Sequence, residues 1–181
     1  PKNVIQQVYT REDVGKMLDC DKYINLVIPR GGNSLVKFIK ENTKIPVLGH
    51  ADGICHIFVD ESADLEMAEK IIIDAKTQYP SACNSVETLL IHGNFPYKEK
   101  LLAALQLAEI KLNFKPDNWA FEYGDKILAF KYVDTIEEAI QHINTYGSGH
   151  TDCIITRDAA NGEKFMNKVD SAGVYMNAST R

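Results

Sequence analysis

The sequence lacks a long apolar run: its longest apolar stretches, such as Ile71–Ile73, are only a few residues long. A helix that crosses a membrane needs about 18 or more consecutive apolar residues, so no membrane span is predicted. The chain also lacks an opening basic segment followed by an apolar one, the pattern of a secretory signal. Repeats and low-complexity tracts are absent as well, which argues against a solenoid or a disordered chain.

The cysteines lack the spacing of a metal site. Cys20, Cys55, Cys83 and Cys153 contain no CxxC pair, and no Cys/His pair lies at zinc-finger spacing. Their even number would allow two disulfides. A chain of this length with a full core does not need such cross-links, however, and no export signal is visible. We therefore predict reduced thiols, a cytoplasmic location and no metal.

What is present is an ordinary globular composition: 181 residues with 45% hydrophobic and 25% charged residues. The chain starts at Pro1 rather than at Met, and it ends at Arg181 without a stop-like pattern. We expect it to be a piece of a larger protein.

The net charge of −5 is unevenly distributed. Residues 1–49 carry 8 Lys+Arg and 5 Asp+Glu, whereas the remainder carries 12 and 20. Either this difference is chance, or the first part faces an anion such as a phosphate. Neither part is basic enough to indicate nucleic-acid binding.

Apolar strand-like segments alternate with amphipathic helical ones, which predicts an α/β protein with a mostly parallel sheet and flanking helices. Two glycines and the change of charge place a domain boundary near residues 49–53. The predicted strands are 4–8, 23–29, 45–48, 54–59, 86–92, 127–133, 152–156 and 173–176. The predicted helices follow Thr10 and cover 35–41, 64–77, 97–108, a segment between 134 and 147, and 159–169.

Cys83 is a candidate nucleophile. It follows the helix-ending Pro80, its neighbours Ala82 and Ser85 are small, and an apolar strand comes next. Small neighbours leave room for a substrate, and backbone N–H groups of such a loop can stabilise an oxyanion. A small buried hydrophobic residue is the alternative interpretation.

Two further segments suit ligands. Arg30, Gly31 and Gly32 lie between a strand and a helix start, where backbone N–H groups can bind a phosphate. The segment is not GxGxxG, and a plain turn would explain it equally well. His50 and Asp52 could act as general acid and base, or could simply build a turn.

A polar cluster formed by Asn177, Ser179, Thr180 and Arg181 follows the last strand. Ligands of such sheets bind at the carboxyl ends of strands, so Arg181 could bind an anion. The alternative is an ordinary chain end.

Several motifs together resemble the γ-glutamyl phosphate reductase family, also called glutamate-5-semialdehyde dehydrogenase, of the aldehyde dehydrogenase superfamily. The motifs are Leu26–Gly31, Ile45–Cys55, Tyr79–Asn84 with Glu87–Leu90, His150–Asp152 and Asn177–Arg181. They occur in order along the chain, and the resemblance is weakest over residues 93–120.

The resemblance implies an aldehyde-dehydrogenase-like fold. Residues 1–49 would form the C-terminal part of an NADP-binding domain, and residues 50–181 would form the catalytic cysteine domain. The implied activity is NADPH-dependent reduction of L-glutamyl 5-phosphate to L-glutamate 5-semialdehyde with release of phosphate, the second step of proline biosynthesis. Cys83 would form a thioester, and hydride from NADPH would reduce it.

By the same resemblance, Arg30, Gly31 and Gly32 would bind the cofactor, and Asn177, Ser179, Thr180 and Arg181 would bind substrate. Gly49 and His50 replace the glutamate base of hydrolysing relatives, which fits discharge of the thioester by hydride. By the resemblance, the complete enzyme is expected to be a homo-oligomer and to be coupled to glutamate 5-kinase. Two alternatives are another cysteine-dependent semialdehyde dehydrogenase and an inactive folding or interaction fragment.

Overall fold

The computed structural model describes residues 4–49 and 52–181. The chain divides into two compact units, Pro1–Ala51 and Asp52–Arg181. The helices are α1 (Arg11–Met17), α2 (Asn33–Glu41), α3 (Leu65–Thr77), α4 (Lys98–Leu107), α5 (Ile136–Tyr146) and α6 (Ala159–Lys168). The strands are β1 (Cys55–Val59), β2 (Val86–His92), β3 (Lys111–Phe114), β4 (Ile127–Val133), β5 (Thr151–Ile155) and β6 (Gly173–Met176).

The first unit, as far as residues 4–49 describe it, is built on α1 and α2. The predicted helix start at Thr10 is confirmed, because the Thr10 hydroxyl accepts from the backbone N–H of Asp13 at 3.1 Å. The strands predicted at 4–8, 23–29 and 45–48 are wrong: within the described part of this unit only one parallel bridge, Val27 to Val47, forms. A parallel strand needs hydrogen-bonding neighbours, and residues of the 23–29 segment such as Ile28 remain exposed.

The second unit is a six-stranded sheet in the order β3-β4-β2-β1-β5-β6. Every neighbouring pair is parallel. The predicted fold class, an α/β protein with a parallel sheet, is therefore confirmed. One short strand, β3, was not predicted, because it has only four residues and its polar–apolar alternation is too short to stand out.

Helices cover both faces of the sheet. Alternate residues of a strand point to opposite faces, so Ile57 and Leu89 pack with α3 and α4, whereas Phe58 and Leu90 pack with α5 and α6. The central strands β1, β2 and β5 are buried along their whole length. The buried strands hold in place the loops that lead into them, such as the loop between α3 and β2.

Side-chain caps define where the helices of this unit begin. Asp64 accepts from the N–H of Met67 at 2.9 Å and starts α3. Thr135 accepts from the N–H of Glu138 at 3.1 Å and starts α5, and Gly147 ends that helix as predicted. Such caps satisfy N–H groups that have no partner inside the helix.

Candidate active site

Cys83 lies in the loop between α3 and β2, at the edge of the sheet where the parallel strands begin. Its residue is exposed, and its thiol is free. Two turn hydrogen bonds shape the loop: Ala82 N to Tyr79 O at 3.0 Å, and Ser85 N to Ala82 O at 2.9 Å. The loop therefore presents a thiol to solvent on a short, hydrogen-bonded turn, a suitable arrangement for a nucleophile.

A second cysteine lies directly behind the loop. The thiol of Cys55, at the start of β1, donates to the carbonyl of Cys83 at 3.4 Å and lies 4.0 Å from Nδ1 of His150. Cys55 is fully buried, and burial raises the pKa of its thiol above the ordinary range. Cys55 therefore supports the Cys83 backbone as a neutral thiol.

Arg181 reaches the same loop. Its guanidinium donates to the side-chain oxygens of Asn84, next to Cys83, and of Gln78, the latter at 3.4 Å. It also lies over the ring of Tyr79, 5.9 Å from the centroid. A cation is thereby held beside Cys83 by neutral groups, which leaves its charge available to an anionic ligand.

The backbone turn at Asn177 directs the chain so that Arg181 reaches the Cys83 loop. Its backbone adopts a left-handed conformation (φ 56°), which turns the chain at the end of β6. Its amide oxygen accepts from Thr156 N and its amide nitrogen donates to Thr156 O, both at 2.9 Å. Cys153 then donates to the carbonyl of Ala178 at 3.0 Å. The segment thus leaves the carboxyl ends of the strands and returns toward their starts.

The four residues of the predicted substrate cluster have different surroundings. The amide group of Asn177 is engaged with backbone, and Ser179 accepts from the N–H of Arg181 at 3.2 Å. Thr180 is 3% exposed, and its hydroxyl has no hydrogen-bond partner among the described residues. Arg181 is the member that the structure brings to the Cys83 loop.

Lys76 and Glu87 form a buried ion pair that the sequence did not single out. Nζ of Lys76 lies 2.9 Å from Oε2 of Glu87, and their side chains are 0% and 1% exposed. Burial raises the pKa of Glu87 to about 7 and lowers that of Lys76, although each partner's charge opposes the shift. A glutamate near the start of the predicted strand 86–92 was the available signal.

Two buried histidines, His56 and His142, lie on the face of the sheet that α5 and α6 cover. His56 lies two residues before Phe58 in β1 and so on the face that α5 and α6 cover, with its Nδ1 3.2 Å from Asp152 Oδ1. The ring of His142 lies 5.5 Å from that of His56 and 4.8 Å from that of Trp119. Burial lowers the pKa of His142 to about 3. These rings belong to the core rather than to the Cys83 loop.

The predicted cofactor residues lie in the first unit, where Gly31 and Gly32 directly precede α2 and Arg30 is exposed. Gly31 has φ 154°, and a Cβ there would lie 2.8 Å from a methyl group of Leu35. A Cβ on Gly32 would meet open space. A helix start with open space beside Gly32 and an exposed cation at Arg30 suits a phosphate group. His50 lies outside the described residues, and Asp52 is exposed.

No group of three or more His, Cys, Asp or Glu side chains in residues 4–49 and 52–181 could hold a metal ion. In the same part of the chain, no helix is long and apolar enough to cross a membrane.

The sequence is similar to known proteins along its full length, although no model of a protein family matches it. A γ-glutamyl phosphate reductase from Brachyspira hyodysenteriae is 55% identical over 100% of this chain and 46% of that relative. One from Trichormus variabilis is 49% identical over 99% of this chain and 45% of that relative. The chain thus spans about half the length of the curated relatives it matches.

Solved structures extend this similarity to the fold. The crystal structure of γ-glutamyl phosphate reductase from Thermotoga maritima is 40% identical, with a TM-score of 0.91 over 95% of this chain and 45% of that one. An NADP-dependent glyceraldehyde-3-phosphate dehydrogenase from Bacillus halodurans, complexed with NADP, shares the fold at 17% identity and a TM-score of 0.82 over 96% of this chain and 48% of that one. The chain is therefore homologous over its full length to the γ-glutamyl phosphate reductases, and its fold is that of the aldehyde dehydrogenases.

Proposed function

We propose that the complete protein reduces L-glutamyl 5-phosphate to L-glutamate 5-semialdehyde and phosphate with NADPH, in proline biosynthesis. The homology supports this proposal, and so does one observation on the site: the exposed Cys83 lies next to Asn84, which Arg181 binds. A nucleophile beside a cation suits a substrate that carries both an acyl phosphate and a carboxylate.

Cys83 would act as the nucleophile. Its thiolate attacks the acyl carbon, a carbon–sulfur bond forms, and the bond to the phosphate oxygen breaks, which releases phosphate and leaves a thioester. NADPH, when bound, would supply the hydride that reduces this thioester. Collapse of the resulting thiohemiacetal breaks the carbon–sulfur bond, so the aldehyde leaves and the Cys83 thiolate is restored.

Arg181 would bind an anionic group of the substrate, and Ser179 and Thr180 would form part of the same substrate site. Asn177 contributes by turning the chain, since its amide is bonded to Thr156. Arg30, Gly31 and Gly32 would hold a phosphate of the dinucleotide at the start of α2. We further propose a cytoplasmic location, a homo-oligomeric enzyme and coupling to glutamate 5-kinase, all from the family resemblance.

The test uses the full-length protein in the reverse direction. NADPH formation from glutamate 5-semialdehyde and NADP⁺ should require added phosphate, because phosphate must cleave the thioester. Cys83→Ser should abolish it, since an alcohol is a far weaker nucleophile than a thiolate at neutral pH, whereas Cys20→Ser should retain it. A rate that is independent of phosphate would instead favour a hydrolysing semialdehyde dehydrogenase, and an inactive protein would favour the interaction-fragment alternative.

A further inference from the structure

The buried pair of Lys76 and Glu87 occupies the base of the Cys83 loop. Lys76 belongs to the last turn of α3 and Glu87 to the second position of β2, so the two side chains join the chain on either side of residues 78–85. Ser85 Oγ also donates to the carbonyl of Ala75 at 3.2 Å. The loop is therefore closed by two contacts that cross its base.

Glu87 connects a third segment to this base. The same Oε2 that binds Lys76 accepts from the backbone N–H of Tyr123 at 3.1 Å. The other oxygen, Oε1, is buried and has no hydrogen-bond partner among the described residues. A fold that needed only apolar packing here would be served as well by two apolar side chains, because burying charges is costly. The directional contacts of the pair therefore call for another explanation.

We propose that the Lys76–Glu87 pair is a clamp that positions Cys83 for its reaction. The inference rests on the proposed function, in which Cys83 is the nucleophile. An ion pair with a hydrogen-bonded third partner fixes both the separation and the orientation of the groups that it joins. The clamp thereby fixes where the loop leaves α3 and where it enters β2. Lys76 and Glu87 are positioning residues, since their side chains are buried and act through the loop.

The decisive variant is the double substitution Lys76→Met with Glu87→Leu. It leaves no unpaired buried charge, so the fold should persist, while the directional contacts disappear. Hydrogen exchange of the amides of residues 78–85 should accelerate by about tenfold or more, without a similar change in β1 and β5. In the full-length enzyme kcat should fall by about tenfold while KM changes little, because a displaced nucleophile impairs the chemical step.

The matched control is the exposed pair on the same helix, Glu66 and Lys70, whose charged atoms lie 2.6 Å apart. Glu66→Gln with Lys70→Met should leave both loop exchange and kcat unchanged. If the double variant of the buried pair folds poorly, Lys76→Met with Glu87→Gln provides the second measurement, because it keeps an oxygen for Tyr123 and leaves no unpaired buried charge. It should produce the same acceleration confined to the loop.

Unchanged loop exchange, or a loosened loop with unchanged kcat, would overturn the clamp. Exchange that accelerates equally over the whole sheet would also overturn it, because that result indicates a merely structural role. The exchange measurement uses no substrate. The two proposals can therefore fail separately. If the double variant loosens the loop but the wild-type enzyme does not form NADPH from glutamate 5-semialdehyde and phosphate, the proposed function is refuted.

Discussion

Gly53 lies directly against the backbone of Cys83: a Cβ on Gly53 would sit 2.2 Å from the carbonyl oxygen of Cys83 and 2.7 Å from its Cα. No side chain fits in that space without displacement of one of the two segments. The absence of a side chain at Gly53 therefore sets how closely the Cys83 loop approaches the start of β1, together with the Cys55 thiol that donates to the same carbonyl.

We predict that Gly53→Ala displaces the Cys83 loop. The clash is with backbone atoms, so relief requires movement of the chain, at a cost of about 1–3 kcal/mol in the free energy of unfolding. Activity of the full-length enzyme should fall further than stability alone explains. Urea unfolding and kcat measure the two effects. Gly93→Ala is the control, because its Cβ would meet nothing closer than 3.5 Å; equal effects of the two substitutions would refute the prediction.

Thiol reactivity should separate Cys83 from the buried cysteines. Burial raises the pKa of Cys153 to about 12 and that of Cys55 above the ordinary range, whereas Cys83 is exposed. At pH 8 a thiol with a pKa near 12 has about 10³-fold less thiolate than an ordinary one, and the thiolate is the reactive form.

Iodoacetamide labelling followed by peptide mass spectrometry gives the rate for each cysteine. We expect Cys83 to be labelled fastest of all four, with Cys55 and Cys153 labelled only after unfolding. Substrate should protect Cys83 in the full-length enzyme. Labelling of Cys153 ahead of Cys83 in the folded chain would contradict both the burial and the assignment.

Much of the second unit could be predicted because its strands are recognisable from their local sequence. Val86–His92, Ile127–Val133 and Gly173–Met176 were predicted with the observed bounds. Each is rich in apolar, aromatic or β-branched residues, is bounded by turn residues, and pairs with neighbouring strands of this unit. The segment 23–29 carries the same signal, yet it forms a single bridge, because a strand pattern cannot specify whether neighbouring strands are present.

The contents of the site were only partly predictable. The loop made Cys83 a candidate and the family resemblance made it the predicted nucleophile, but the approach of Arg181 to Asn84 joins residues 97 positions apart and depends on the left-handed turn at Asn177. The Lys76–Glu87 pair depends on the register between α3 and β2, which periodicity does not reveal. Long-range contacts of this kind arise from packing rather than from local pattern.

Asn177 should matter through both its backbone and its side chain. Asn177→Gly keeps the left-handed backbone accessible but loses the two hydrogen bonds to Thr156. Asn177→Ala loses these hydrogen bonds and also disfavours the left-handed backbone. We expect both variants to be less stable, with alanine worse by about 1 kcal/mol, because a Cβ disfavours that conformation. Urea unfolding followed by Trp119, the single tryptophan, measures this order. A more stable alanine variant would contradict the backbone argument.

Acid should destabilise the folded chain through His142. Burial, with the nearby charges of His56 and Lys131, lowers the pKa of His142 from its ordinary 6.5 to about 3. Between these values the unfolded chain binds a proton that the folded chain does not, so the stability present above pH 6.5 is lost as the pH falls. The loss is about 1.4 kcal/mol for each pH unit, or about 2 kcal/mol between pH 6.5 and 5.

His142→Phe tests this effect, because phenylalanine keeps an aromatic ring beside Trp119 and cannot take up a proton. Urea unfolding of the wild type and the variant at pH 7.5, 6 and 5 should show that the wild type loses about 2 kcal/mol more than the variant on acidification. Titrating groups that are distant from His142 contribute equally to both proteins and cancel in this comparison. Parallel pH profiles would mean that His142 is protonated as easily in the folded chain as in the unfolded one. In that case its buried position on α5, against His56 and Trp119, would not exclude the proton.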